Sequence, residues 1–247
     1  MERKTEGFTD LHAHFLYGLD DGAKTRREME AMLDAAHADG IVRLYATPHA
    51  ALGIRPFDAE LCAQRLGEAQ AYCRQRGYEM RLHTGAELMY TPAMERFALE
   101  RRLPTLGESR QVLMEFVPDV GMREMREAAA LLERSGYTAV LAHVERYNCL
   151  FVGKNAWKLK EERDVRYQIN AGTAIGGNGF LRDAVIRRWL REGLIDYVAS
   201  DAHNCASRPF RMRKAYASLR RNYGQELAEK LTGLSSQSGE LGDTTEG

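Results

Sequence analysis

Seven short apolar runs alternate with amphipathic helical stretches along this 247-residue chain, and that alternation limits the fold more than any other feature. The runs expected as strands are residues 7–11, 41–46, 80–84, 111–116, 138–142, 165–169 and 195–199. Helical spacing covers residues 26–38, where Met29, Met32, Leu33 and Ala36 fall on one face, and then 59–75, 92–100, 123–134, 181–192 and 210–231. Gly40, Gly77, Gly136 and Gly193 stand where helices should stop. Strands that alternate with helices imply a parallel sheet, because parallel neighbours need a crossover between them. Seven such units in this length favour a closed α/β barrel over an open sheet, since these barrels commonly run ~200–250 residues. Periodicity alone leaves both open. No internal repeat or linker divides the chain, so residues 1–233 are expected to form one domain. The tail at 234–247 is rich in Ser, Gly, Thr and acid and is expected to be disordered.

Charge and cysteine content remove several function classes. The 35 basic and 35 acidic residues cancel, so no broad basic field for nucleic acid is present. Cys62, Cys73, Cys149 and Cys205 have no CxxC spacing and read as reduced thiols. The first residues lack the apolar core of a secretory signal, and no run approaches the ~20 apolar residues of a spanning helix. A cytoplasmic protein with no membrane insertion is expected.

The polar residues then fall in a pattern. In Asp10-Leu11-His12-Ala13-His14, two histidines at i and i+2 share a face if the run is a strand. His49 follows the second strand, Glu87 the third and His143 the fifth; Glu115 ends the fourth; Asp201 and His203 follow the seventh. All stand at C-terminal strand ends, where parallel barrels build their sites. His37, inside a helix, and His83, inside a strand, are expected to pack or face solvent. Taken singly, each such histidine reads as a loop hydrogen-bonder. Together, mixed imidazoles and carboxylates without cysteine select catalytic Mn, Fe or Zn over a structural zinc site. The number of ligands suits two or three ions, an arrangement that activates water for in-line displacement at phosphorus.

His12-Ala13-His14 with Asp21, Thr47-Pro48-His49, Gly85-Ala86-Glu87, Met114-Glu115-Phe116, Ala142-His143-Val144-Glu145-Arg146-Tyr147 and Ser200-Asp201-Ala202-His203-Asn204 resemble, in order, motifs of the polymerase and histidinol phosphatase (PHP) superfamily. Gly18-Leu19-Asp20-Asp21-Gly22 narrows the resemblance to bacterial manganese-dependent protein tyrosine phosphatases of capsule and exopolysaccharide synthesis. The resemblance implies a distorted (β/α)7 TIM-like barrel with a three-ion Mn centre. His12, His14, Glu87 and Asp201 would hold the first ion. Glu87, Glu115 and His143 would hold the second, and Asp21, His49 and His203 the third. Arg146 and Arg208 match the family's phosphate-binding arginines, and Asp21 is a candidate proton donor. The implied substrate is a phosphotyrosine protein, the tail of a bacterial tyrosine kinase. Val144, Ala50 and the loop at 51–57 depart from the family pattern at the substrate rim.

Three other readings compete. The same fold could act on histidinol phosphate or a nucleotide. A catalytically silent metal-binding module would keep the ligands without turnover. Cys205 and Arg211 have the Cx5R spacing of a cysteine phosphatase, but their intervening residues contain no glycine and include Pro209, which removes a phosphate-binding N–H.

Overall fold

The computed structural model describes residues 6–55 and 57–234; the expected disordered tail lies, from Ser235 onward, outside the described residues. The described residues form nine strand segments: β1 (Phe8–Ala13), β2 (Ile41–Ala46), β3 (His49–Ala50), β4 (Arg81–Thr84), β5 (Glu87–Met89), β6 (Gln111–Glu115), β7 (Thr138–Leu141), β8 (Val165–Asn170) and β9 (Tyr197–Ala199). Every ladder is parallel. One sheet runs β1-β2-β4, the other β3-β5-β6-β7-β8-β9.

These nine segments make seven staves, because β3 prolongs β2 and β5 prolongs β4. Thr47-Pro48 interrupts the second stave, since proline brings no N–H to a ladder. Gly85-Ala86 interrupts the third; a Cβ on Gly85 would stand 3.0 Å from Leu106. Hydrogen bonds from Gly85 N to the Ala46 carbonyl (2.8 Å) and from Glu87 N to the Pro48 carbonyl (3.1 Å) carry the pairing across both breaks. The ring closes between first and last staves: Asp201 N donates to the His12 carbonyl and His14 N to the Ala202 carbonyl, each at 2.8 Å. A mixed α/β, distorted TIM-like barrel results, as the alternation of runs implied.

The helices are α1 (Arg26–Asp39), α2 (Ala59–Arg76), α3 (Met94–Leu99), α4 (Met122–Arg134), α5 (Asn155–Glu162), α6 (Ala171–Ile175), α7 (Phe180–Arg191), α8 (Met212–Tyr223) and α9 (Gln225–Thr232). The last helical region, expected at 210–231, holds two helices, broken at Gly224, whose φ of 95° no helical residue adopts. Helix α5, the short α6 and two 3-10 turns at Val144–Arg146 and Asn148–Phe151 had no periodic signal, being too short for one. No helix among the described residues is long and apolar enough to cross a membrane.

Strand alternation splits the apolar residues into two layers. Leu11, Tyr45, Leu113, Val140 and Ala199 form a small inner cluster that plugs the barrel. Their neighbours Leu44, Val112, Met114, Leu141 and Val198 join the helices' Met29, Met32, Leu132, Trp189 and Leu219 in the large outer core. Full burial of each such aliphatic side chain contributes ~1.5–3 kcal/mol. Two residues beyond the inner plug, the inward positions turn polar: Leu113 gives way to Glu115, and Ala199 to Asp201.

Candidate metal centre

Eight side chains from the C-terminal ends of the staves and Asp21 from the loop after β1 gather in one cluster, and a bulge in β1 brings the first two there. Asp10 pairs with Leu44 but Ala13 with Ala46, so β1 carries one residue more than β2 across that stretch. The extra residue lets Leu11 face the inner plug while His12 and His14 both point at the polar layer. The Asp10 carboxylate accepts from His12 N (3.3 Å) and Ser200 N (2.9 Å), tying the bulge to the last stave. Strand β1 thus runs through His12, which the sequence suggested only follows the strand.

Three overlapping groups of donor atoms result, each within 4.8 Å of one another: His12, His14, Glu87 and Asp201; His49, Glu87 and Glu115; His14, Asp21, His49 and His203. In the first, Glu87 Oε2 lies 3.2 Å from His12 Nε2 and 3.3 Å from His14 Nε2. The second follows from register, because His49 pairs directly with Glu87 across the β3–β5 ladder. His49 Nδ1 stands 2.9 Å from Glu87 Oε2 and 3.5 Å from Glu115 Oε2. His143 Nε2 meets the same two carboxylates at 2.7 and 3.4 Å. In the third, Asp21 Oδ1 is 3.3 Å from His49 Nε2 and 3.4 Å from His203 Nε2. His14 and His49 each border two groups, whereas the family resemblance implies one ion apiece.

Backbone strain marks two of these positions. His143 (φ 32°, ψ 57°) and Asp201 (φ 53°) hold the left-handed conformation without being glycine, at a cost of ~1–3 kcal/mol each. Each bend returns the chain over the centre. After His143, a 3-10 turn closes with Arg146 N donating to the His143 carbonyl (2.9 Å). After Asp201, the Asn204 Oδ1 accepts from the N–H groups of Ala206, Ser207 and Arg208, folding the loop back. Arg146 Nη2 and Arg208 Nη2 then reach Asp201 Oδ2 at 2.7 and 2.8 Å, and Asn170 Nδ2 joins them at 2.8 Å. With Oδ2 saturated, Asp201 Oδ1 is left facing His12 and His14.

Sequence reading missed the residues that orient the imidazoles. Asp20 Oδ2 contacts His14 Nδ1 (2.6 Å) and accepts from His49 N (2.9 Å), while its Oδ1 accepts from Gly22 N. Gln168 Oε1 contacts His12 Nδ1 (3.2 Å) and accepts from His143 N (2.8 Å). His203 Nδ1 faces the Asp201 carbonyl (3.0 Å). Each partner occupies one ring nitrogen and aims the other at the centre. A signal existed for Gln168, an amide between the buried Tyr167 and Ile169 in a strand. Asp20 had only its place beside Asp21.

Electrostatics describes protons in the place of cations. Burial pulls the imidazolium of His14 down, but bonds to Asp20 and Glu87 outweigh it and lift the group to about 9. Burial also opposes His49 and His143, yet Glu115 and Glu87 raise them to about 10 and about 9. Burial lowers His203 to about 4, helped by the neighbouring positive His14 and Arg208. Burial would raise Glu115, but its bonds to His143 and His49 hold it at about 2. Glu87 falls well below the ordinary range because its attraction to His12 and bonds to the imidazoles overcome burial. Buried Glu87 Oε2, Asp201 Oδ1, His143 Nδ1 and His203 Nε2 still lack a hydrogen-bond partner. Orphaned buried acceptors of this kind cost ~1–3 kcal/mol each. A set of imidazoles and carboxylates, sharing unpartnered buried donor atoms around several centres, fits two or three divalent ions.

One side of the cluster is open. Side-chain exposure is 62% at Asp21, 40% at Arg146 and 38% at Arg208, against 0% at Glu87. Cys205 is exposed on its loop, partial burial pushes its thiol up, and the N–H groups of Ala206, Ser207 and Arg208 turn to Asn204 Oδ1. That is the reverse of an activated nucleophile. His37 stacks on Tyr78 and His83 on Tyr45, both away from the nine.

Comparison with known proteins gives the same direction. A family model described as capsular polysaccharide synthesis, CpsB/CapC, matches residues 8–238. The tyrosine-protein phosphatase CpsB of Streptococcus pneumoniae is 29% identical over 230 residues, covering 90% of this chain and 93% of that protein. The tyrosine-protein phosphatase YwqE of Bacillus subtilis (strain 168) is 31% identical over 225 residues, covering 90% and 88%. A crystal structure from work on YwqE and CpsB, described as unique metal-dependent tyrosine phosphatases, superposes with a TM-score of 0.82 at 28% identity, covering 91% of each chain.

Proposed function

The chain belongs to the CpsB/CapC family of capsular polysaccharide synthesis, and we propose that it is a metal-dependent tyrosine-protein phosphatase working through the nine-residue centre. The observation that carries this reading is the convergence of His12, His14, Asp21, His49, Glu87, Glu115, Asp201 and His203 on three overlapping ion-sized groups, with His143 set against the Glu87 and Glu115 carboxylates beside them. Likeness to CpsB and YwqE supports a phosphotyrosine protein over histidinol phosphate or a nucleotide. Mn is the proposed metal. The proposed physiological substrate is the phosphorylated tail of a tyrosine kinase of polysaccharide synthesis, met in the cytoplasm.

Ions held by these residues would supply Lewis acidity and lower the pKa of bound water. The protein's own groups do the rest. Buried Glu87, His143 and Asp201 would hold the ions from the closed side of the cluster. Arg146 and Arg208, at the open side, turn planar donors toward the phosphoryl oxygens and offset the charge that grows on them. Asp201 holds both guanidinium groups in place until substrate arrives. The leaving phenolate, with a phenol pKa of ~10, needs little protonation. Asp21, the most exposed of the nine, or a water held by the ions would donate that proton.

The direct test removes metal with EDTA and restores Mn, Fe or Zn singly, assaying a phosphotyrosine peptide, histidinol phosphate and a nucleotide beside a metal analysis. Loss with EDTA and Mn-restored turnover of the peptide are expected. Full activity in the metal-free protein would sink the scheme, and metal content without turnover would leave the silent binding module.

A further inference from the structure

A polar groove leads away from the open side of the centre, and at its far end lies an arginine the reaction does not use. The groove encloses about 510 Å³ and runs from Arg146 and Asn170 to Asn178 and Arg182. That volume is within the usual range of ligand sites, ~300–1,000 Å³. Arg182 Nη1 donates to the Glu145 carbonyl (2.7 Å) and Nη2 to Asn148 Oδ1 (2.6 Å), and its guanidinium lies 4.5 Å over the Phe151 ring. Both acceptors are neutral, and among the described residues no carboxylate pairs with this cation. The one acid in the groove wall, Glu145, is 8% exposed and turns Oε1 to Asn170 N and Thr173 Oγ1.

The groove is built rather than incidental. Asp183 accepts from Gly177 N, Asn178 N and Asn178 Nδ2, holding the loop between α6 and α7 against Thr173. Gly176, Gly177 and Gly179 take positive φ to make that turn. Exposed apolar side chains stand next in sequence to its lining residues: Phe180 (82% exposed) and Leu181 (78%) precede Arg182, and Val117 (50%) precedes Pro118. A fixed cation with no counter-charge, flanked by exposed apolar groups and continuous with Arg146, suits an extended anionic peptide.

We propose that this groove seats the stretch of substrate chain next to the phosphotyrosine, and that Arg182 is a specificity residue binding an anionic side chain there. This rests on the phosphatase reading and adds a substrate preference to it. The anion could be a carboxylate or a second phosphate, so the test carries both. Phosphotyrosine peptides bearing Asp, Asn or phosphotyrosine at single positions on either side are compared by kcat/KM with the Mn-loaded enzyme. At one or more positions an anionic peptide should exceed its Asn counterpart roughly fivefold, and salt should erode the gain. The better of Asp and phosphotyrosine identifies the anion. In R182Q the ratio should fall to about one, in R182K it should persist in part, and in R182E a Lys-bearing peptide should become preferred. A wild-type enzyme indifferent to flanking charge, or an anionic preference retained in R182Q, overturns the proposal while leaving the phosphatase reading intact. Failure of the wild-type enzyme to hydrolyse free phosphotyrosine and every peptide would overturn both.

Discussion

One oxygen of Asp201 holds Arg146, Arg208 and Asn170, and its other oxygen faces two imidazoles. This division makes a separable prediction at the scale of the residue. Arg146→Ala should lower kcat/KM by about 10²–10³-fold while the metal content, read by elemental analysis, stays unchanged. Arg146→Lys should restore little, because a point charge does not match the planar fork. Metal loss in the alanine variant would instead make Arg146 a support of the centre. Asp20 acts from the other side, by setting which nitrogen of His14 is free. Asp20→Asn should weaken metal binding about 10–100-fold in a metal titration; unchanged affinity would show that His14 needs no such partner. Eight of the converging residues were legible because each stands at the end of an apolar run, whereas Asp21 was legible only through the resemblance carried by Gly18-Leu19-Asp20-Asp21-Gly22. Asp20 was not, since two adjacent aspartates in one loop give no sign of which turns inward.

At the scale of the element, the strand-to-helix loops decide the site. Gly22 lies behind His14: a Cβ there would stand 2.0 Å from the His14 carbonyl oxygen and 2.5 Å from its Cβ. Because the obstructing atoms are backbone, Gly22→Ala should cost about 1–3 kcal/mol and loosen metal binding as His14 is displaced. Thermal unfolding and metal titration check this, and a variant unchanged in both would refute it. Asn204→Ala removes the acceptor for three loop N–H groups. Arg208 should then leave Asp201, raising KM for phosphotyrosine peptide on the order of tenfold with metal content preserved; an unchanged KM would count against a substrate role for Arg208. Helices long enough to show a repeating face, such as α1 and α4, were readable. The left-handed turns at His143 and Asp201 were not, because tertiary contacts impose them against local preference.

For the whole molecule, closing seven staves brings like-minded ligands into a buried space that protons hold when cations do not. His14, His49 and His143 are raised to about 9, 10 and 9 from an ordinary 6.5. Folded-state values above the unfolded one stabilise the metal-free fold fully below about 6.5, and that contribution fades as pH climbs through 9–10. Metal must displace these protons, so loading near neutral pH should release them and apparent affinity should rise with pH. Calorimetry in buffers of different ionisation enthalpy reads the release; identical heats in all buffers would contradict it. Saturating Mn, at about 100 times its Kd, should add ~2.7 kcal/mol of stability. A thermal scan should then move upward, and no shift would mean that the ions bind folded and unfolded chains alike.

The sequence by itself determined the class of fold, the staves and the chemical kind of the centre. Apolar runs, helix stops and the position of a polar residue at the end of a run are local properties, readable in order along the chain. Only the tertiary structure decided which of these donor side chains group together, how each imidazole is oriented, and that a groove ending at Arg182 adjoins them. Those facts depend on the β1 bulge, the register of His49 opposite Glu87, and the closure of the first stave on the last. They join residues as far as 190 positions apart, as between Asp10 and Ser200, and no pattern of neighbours along the chain encodes such a contact.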